Sequence, residues 1–557
     1  MTVQLTVRMG REKRTGAMGN TITCGEATIR LLARYGVDTV FGIPGVHTLD
    51  FCRGLDTSGV EGGEVTHVQA RNEQGAGFMA EGHARATGKP GVALVISGPG
   101  VTNAATALGQ CYADSLPMLL LSAEAASYTI GKGWGVLHEV SEQKAVTQPL
   151  TALSATARRA ADVPELMAQA FSIFASERPR PVHISIPIDV QAERVEDTWA
   201  PVSLPLRPQP RAGLVTEAAA LLKGAQRPLV MAGGGAWQAA GDLTAVAERL
   251  GAVVVASTAG KGIVPDDHPL SLSASTVRPE VQAFIGEADV ILAVGTELSE
   301  TDSFVERLDI RGKLIRVDID PRKMNDLYPA DLAIVADAGP AMAALATALG
   351  GHDSAAVRAE AEGIVRGLRE AIGANLSHSE RQHAKLLALL KDCTPANTIF
   401  AGDACQLVYT GAIAFPAAMP RQWFYPAGYC ALGCALPNAI GAKLALPERP
   451  VVALAGDGGF MFTMPELMVA AELSLPLPII VWENGGLKQI QDDMDSRNIE
   501  RVGVAGPNPD FVQLARACGC YGERPGDAGS FQQSVAAALE ADRPTLIAVG
   551  ENDSWLT

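Results

Sequence analysis

The residues best placed for chemistry sit where two apolar runs end. The run VVALAG ends at Asp457-Gly458-Gly459, and the run PIIVWE ends at Asn484-Gly485-Gly486. Between them the pattern predicts one helix of about 15 residues, then the second strand. Strands joined this way lie side by side in a parallel sheet, which brings Asp457 and Asn484 to one edge. A carboxylate, an amide oxygen and the Gly486 carbonyl are hard donors suited to Mg2+, with room left for phosphate oxygens and water. Gly456, Gly458 and Gly459 let a diphosphate approach the backbone, and the helix start adds N–H donors. Asn484 lies 27 positions after Asp457, and Gly486 lies 29 after it. A GDG turn alone would read more readily as an ordinary glycine loop.

A second set of residues offers proton chemistry. Glu73 stands at the head of RNEQGAGFMAEGHAR, where a lone carboxylate would simply satisfy the helix dipole. His47 in GIPGVHTLDF and His138 in GKGWGVLHEVSEQ carry imidazoles able to move a proton near neutral pH. The plain alternative for each is a structural hydrogen bond. Two further loops follow apolar runs: AGDACQL, with Asp403, Cys405 and Gln406, and Gly428–Gly433, with Cys430 and Leu432.

These loops need rigid elements behind them, and the chain supplies three series of alternating strands and helices. TVFGIP, GVALVISGPG, PMLLLSA and PVHISIPID belong to the first; RPLVMAGGG, AVVVAS, DVILAVG, KLIRVDID and LAIVAD to the second; NTIFAGD, VVALAGDGG, PIIVWENGG and TLIAVG to the third. Such alternation predicts an α/β protein of three Rossmann-like domains with parallel sheets, spanning 20–190, 191–375 and 376–557. A proline-rich linker follows the first, and a polar helix, GGHDSAAVRAEAEGIVRGLREAI, leads into the third. The 557 residues, 47% apolar and 19% charged, exclude a disordered, collagen-like or coiled-coil chain. A net charge of −16 argues against nucleic acid as a partner. No apolar run approaches the roughly 18 residues of a bilayer span. The opening MTVQLTVRMGREKRTG is basic without an apolar region behind it, and reads as a tail instead of a signal or anchor. Nine irregularly spaced cysteines fit reduced thiols in the cytoplasm.

In combination, these stretches resemble the thiamine diphosphate-dependent superfamily of acetolactate synthase and benzoylformate decarboxylase type. GVDTVFGIPGVHT, NEQGAGFMA and LHE most resemble its 5-guanidino-2-oxopentanoate (2-ketoarginine) decarboxylase branch. The resemblance covers about residues 20 to 550. It implies that Asp457, Asn484 and Gly486 bind Mg2+ and that Gly456, Gly458 and Gly459 face the diphosphate of thiamine diphosphate. Cys405 and Gln406 would contact the phosphates, and Asp403 would order their loop. Leu432 would wedge between the cofactor rings, and the Cys430 carbonyl would accept from the 4′-amino group. Glu73 would share a proton with N1′, favouring the imino tautomer that generates the C2 ylide; an apolar setting helps a carboxyl exchange a proton near neutral pH.

The implied reaction is decarboxylation of a 2-oxo acid through that ylide and an enamine, releasing CO2 and an aldehyde, with His138 and His47 as proton carriers. The alternatives are an acetolactate synthase-type carboligase and a thiamine diphosphate-binding protein without turnover. The resemblance also implies a homodimer at minimum, commonly a homotetramer, because the active site joins two subunits. Several departures stand out. Glu483 precedes Asn484 where many members carry a second asparagine, and Val46 replaces a polar Ser or Asp. FAD is disfavoured: acetolactate synthases bind it through central-domain stretches whose places are taken here by Ala274–Arg278 and Gly295–Ser299, although Gly233–Gly235 and Asp318–Asp320 suit a nucleotide. Leu487-Lys488-Gln489-Ile490 stands where the 2-ketoarginine branch tends to carry Tyr-Gly-Glu-Ile. Lys488 beside a cofactor favours an anionic or neutral substrate tail, whereas Asp492, Asp493 and Asp495 on the same helix pull the other way.

Overall fold

The computed structural model describes residues 21–55 and 65–556; the basic opening segment lies outside them. Its three large sheets are parallel throughout. The first runs, in spatial order, Thr66–Gln69, Thr39–Gly42, Gly91–Val95, Met118–Glu124, Val182–Pro187 and Leu153–Thr156. The second orders Val253–Ala256, Pro228–Ala232, Val290–Val294, Lys313–Asp318 and Leu332–Val335. The third orders Trp423–Phe424, Ile399–Gly402, Val451–Gly456, Pro478–Glu483, Thr545–Gly550 and Tyr521–Glu523. Helices cover both faces, so a strand such as VVALAG is buried at every residue instead of alternating. A short antiparallel ribbon, Thr21–Thr23 with Arg194–Glu196, closes the first unit.

Each sheet has a point where chain order reverses, and ligand sites form outside the carboxyl ends of the strands there. In the first sheet it lies between Thr39–Gly42 and Gly91–Val95, which lead to His47 and Ser97. In the third it lies between Ile399–Gly402 and Val451–Gly456, which lead to Asp403 and Asp457. In the second it lies between the strands that run into Gly233–Gly235 and Gly295.

The outer two sheets share a core. One apolar cluster passes from Phe41 and Leu120 through Met79 and Ile440 to Ala453 and Val481. Its middle is the packing of helix Glu73–Thr87 on helix Ala435–Ala445. The backbones touch there: a Cβ on Gly441 would fall 1.9 Å from the Met79 carbonyl oxygen, and one on Gly82 would fall 2.1 Å from that of Asn438. The polar helix Ala355–Ala374 packs Val365 and Ile372 against the central sheet.

One element differs from expectation. The single helix expected after Gly456 is three pieces: Asp457–Thr463, a 3-10 turn at Met464–Glu466, and Leu467–Glu472. Pro465 is the reason, since it has no N–H and its ring obstructs the preceding turn.

Candidate functional site

The Asp457 carboxylate is fully buried and organises the loop that follows the neighbouring strand. Gly456 stands opposite Trp482 in the ladder, so Asn484 emerges at the same edge. Asp457 Oδ2 accepts from the backbone N–H groups of Asn484 (3.2 Å), Gly485 (2.8 Å) and Gly486 (3.1 Å), and Oδ1 accepts from Gly458 at 2.7 Å. Gly485 and Gly486 adopt φ of 86° and 108°, a left-handed pair that turns three N–H groups inward. Gln491 holds the loop from behind, donating to the carbonyls of Gly485 (2.8 Å) and Val504 (3.0 Å). Among the described residues, no group of three or more His, Cys, Asp or Glu side chains could hold a metal ion. At this edge a cation would meet the Asp457 carboxylate with the amide and main-chain oxygens of residues 484–486. That set suits a hard divalent ion that keeps water and phosphate ligands. Gly459 lies so near Asp403 that a Cβ would reach 2.8 Å from its Oδ2, leaving no side chain between the two loops. The residues present fit Mg2+ and a diphosphate.

Asp403 is the other fixed point. It is buried, accepts from the N–H of Gly433 at 2.9 Å (Oδ1) and 3.0 Å (Oδ2), and burial pushes its carboxyl up to about 7. Strand Ile399–Gly402 is thereby tied to the Gly428–Gly433 loop. Cys405 occupies the N-cap position of helix Gln406–Ala414 without a side-chain cap bond, its thiol pushed up to about 12 by burial. Gln406 donates to Gln489 (3.2 Å) and Asp492 (3.0 Å). In the loop, Cys430 has φ of 55° and is exposed, Leu432 is half-buried, and the Tyr409 hydroxyl lies 3.7 Å from Cys430 Sγ. The first domain grips this loop: Gln110 accepts from Ala431 N–H (3.1 Å) and Asp114 from Gly428 N–H (2.8 Å).

Glu73 begins helix Glu73–Thr87, which Asn72 caps by accepting from Gln74 N–H. Its carboxylate is buried and accepts from the Asn103 amide at 2.9 Å. His47 lies 2.6 Å (Nδ1) from Ser97 Oγ, and its ring meets that of His138 edge-on at 5.0 Å. Burial, then the neighbouring His138, lower the His47 pKa, so the neutral imidazole is favoured at neutral pH. His138 sits at φ of 62° and packs its carbonyl against Gly98. Gly98 N–H donates to Gln143 (2.7 Å), whose amide donates to Ser185 Oγ (2.8 Å) and the Ala123 carbonyl (2.7 Å).

The structure thus gathers Asp403, Cys405, Gln406 and Gly428–Gly433 with Asp457 and Asn484–Gly486 at one sheet edge, and His47 with His138 at another. Lys488 is ion-paired with Asp492, and Asp495 with Arg501. The Lys488 charge is therefore compensated within its own helix. Gly234, Gly235 and Asp318 line a cavity of about 540 Å³ at the central switch point, together with Arg178, Trp237 and Arg421. Sequence reasoning missed Asn103, Gln110, Asp114, Gln143 and Asn508. Each makes a contact across 30 or more positions through its amide or carboxylate, which leaves no local pattern.

Three family models match in chain order: the thiamine pyrophosphate enzyme N-terminal TPP binding domain over residues 22–149, the central domain over 215–345, and the C-terminal TPP binding domain over 403–549. Among curated relatives, a probable 2-ketoarginine decarboxylase of Pseudomonas aeruginosa is 48% identical, the match covering 95% of this chain and 94% of that protein. The acetolactate synthase isozyme 3 large subunit of Escherichia coli is 31% identical, covering 93% and 92%. An acetolactate synthase of Mycobacterium bovis is also 31% identical, covering 90% and 84%.

Proposed function

The chain belongs to the thiamine pyrophosphate enzyme family, and from that premise we propose that it decarboxylates a 2-oxo acid to CO2 and an aldehyde. The observation that carries this is the Asp457 carboxylate drawing in the N–H groups of residues 484–486, on a chain 48% identical to a probable decarboxylase. Thiamine diphosphate, when bound, supplies a nucleophilic carbon for the 2-oxo group and an electron sink as CO2 departs.

The protein's part is to hold, orient and move protons. Asp457, Asn484 and Gly486 would hold Mg2+; Gly456, Gly458, Gly459, Cys405 and Gln406 would line the diphosphate. Asp403 keeps the loop bearing Cys430 and Leu432 in place, so that the Cys430 carbonyl and the Leu432 side chain can meet the cofactor rings. Glu73 exchanges a proton at pyrimidine N1′, and Asn103 orients its carboxylate. His138 would deliver the proton that completes the aldehyde, and the neutral His47 beside it, fixed by Ser97, would serve as its proton-accepting neighbour. Lys488, compensated by Asp492, imposes no preference for an anionic tail, so a guanidino tail is compatible with this edge.

We place the active site between subunits of a homodimer, paired further into a homotetramer. Apolar side chains beside the loops support this: Tyr429, Phe462, Met461 and Met468 are exposed on the third domain, and Val46 and Leu49 on the first. The domain limits 20–190, 191–375 and 376–557 belong to the same proposal. So does a cytoplasmic setting, which the nine free thiols support. Among the described residues, no helix is long and apolar enough to cross a membrane.

The carboligase alternative draws on relatives at 31% identity, and an inactive cofactor binder, which would still need Asp457 and Asn484, would have no use for the proton exchange assigned to Glu73. Incubating the Mg2+–thiamine diphosphate holoenzyme with 2-oxo acids bearing guanidino, apolar and acidic tails tests the proposal. CO2 release with free aldehyde is expected for at least one; release from none would overturn it.

A further inference from the structure

Glu466 is a buried carboxylate for which the chemistry above has no use. Pro465 breaks the helix that starts at Asp457, and the resulting 3-10 turn carries the Glu466 side chain out of the third domain toward the first. It is 1% exposed there. Its oxygens accept from the backbone N–H of Arg71 (3.2 Å to each) and of Asn72 (3.1 Å), the two residues immediately before Glu73. Gly75 lies against it so closely that a Cβ would fall 2.2 Å from Glu466 Oε1. Arg71 makes a further bridge to Glu472, 2.6 Å away on the next helical piece.

A carboxylate taken out of water is costly unless bonded. Helix capping does not require this one, because Asn72 already caps Glu73–Thr87. Glu466 instead addresses the N–H groups ahead of the cap, where the chain's direction into Glu73 is decided. Asn103 holds the Glu73 carboxylate from the other side. Main chain and side chain of Glu73 are thus fixed by separate partners, one of them from another domain.

We propose that Glu466 is a positioning residue for Glu73, setting the turn Arg71–Asn72 and with it the aim of the Glu73 carboxylate. This rests on the role given to Glu73 above. In the proposed dimer Glu73 serves the site completed by the other subunit, while Glu466 continues the helical segment that begins at Asp457. Each chain would then link the metal loop of one site to the proton-exchanging carboxylate of the other.

The test compares Glu466→Ala, Glu466→Gln, Glu466→Asp and Glu73→Gln with the wild type. In apoprotein, hydrogen exchange of amides 71 and 72 should accelerate about tenfold in Glu466→Ala, because those two N–H groups lose their acceptor. In holoenzyme, C2 proton exchange and kcat should fall about tenfold or more, since small misplacements of a reacting group have large effects. KM for the 2-oxo acid and thiamine diphosphate affinity should stay within about threefold, and Glu466→Gln, which keeps an acceptor oxygen, should recover most of the loss. If Glu466→Ala does not fold, Glu466→Asp, with its carboxylate drawn back by one methylene, should show the same slowing. Wild-type C2 exchange in whichever of these two folds, or unchanged amide exchange, overturns the proposal. Wild-type C2 exchange in Glu73→Gln would instead overturn the role of Glu73 itself.

Discussion

Asn508 donates its side-chain amide to Asp457 Oδ2 at 2.8 Å, across 51 positions of sequence. The carboxylate that would bind metal is therefore held by a residue of the long loop after helix Lys488–Ser496, as well as by the N–H groups of Asn484, Gly485 and Gly486. A charge-assisted bond of this kind fixes direction as well as energy.

Asp457→Ala should lose Mg2+-dependent retention of thiamine diphosphate, weakening apparent affinity by about a hundredfold or more, because the single carboxylate of the site is gone. Asn508→Ala should weaken it about tenfold, the order expected for one hydrogen bond to a charged group. Cofactor titration followed by fluorescence checks both, and unchanged affinity in Asp457→Ala would contradict the metal assignment.

His138→Ala should slow aldehyde release more than CO2 release, since its imidazole acts after the carbon–carbon bond has broken. Single-turnover measurements of the two products separate these steps. Equal slowing of both would leave His138 a structural residue of the loop that packs on Gly98.

His183 is buried between Ser122 (2.8 Å) and Thr147 (2.7 Å), and burial lowers its pKa to about 3. The unfolded chain binds a proton near pH 6.5 that the folded protein refuses, so this group's contribution is present above pH 6.5 and lost as pH falls toward about 3. Asp403 and Glu466, both raised to about 7 by burial, act oppositely: they contribute below their unfolded pKa and lose it as pH rises through about 7. The stability advantage of the wild type over His183→Asn should therefore shrink by about 2 kcal/mol between pH 6.5 and 5. Urea unfolding at the two pH values measures it, and a constant difference would refute this assignment.

Lys261 and Asp266 form a buried pair at 2.5 Å, and Asp266 also accepts from Ala417 N–H at 2.9 Å, joining the central and third domains. Lys261→Met should destabilise the protein by about 3–5 kcal/mol, because a buried carboxylate loses its partner. Adding Asp266→Asn, which keeps an acceptor for Ala417, should restore part of that. A double variant less stable than Lys261→Met would show that the carboxylate is not the strained group.

The parallel sheets and the Asp457–Asn484 edge were legible because they follow from local rules. Apolar runs alternating with helices set the sheets, and strand–helix–strand adjacency sets which strand ends coincide. The spacing of GDG and Asn484 survived the breaking of the intervening helix because Pro465 bends that segment without moving the strands it joins. Lys488 was harder to read, since its compensation by Asp492 depends on which helical neighbours face each other. Glu466 was invisible for a similar reason: in sequence it is one glutamate in an ordinary helix, and only the Pro465 break and the packing of two domains aim it at Arg71 and Asn72. Gln110 and Asp114 likewise act on a loop more than 300 positions away.

The most direct test of the proposed activity is product stoichiometry from a carboxyl-labelled 2-oxo acid, the guanidino-tailed one first, with and without Mg2+ and thiamine diphosphate. One free aldehyde for each CO2, formed only when both are present, is the expected result. CO2 release accompanied by acetolactate-like ligation products and little free aldehyde would contradict it.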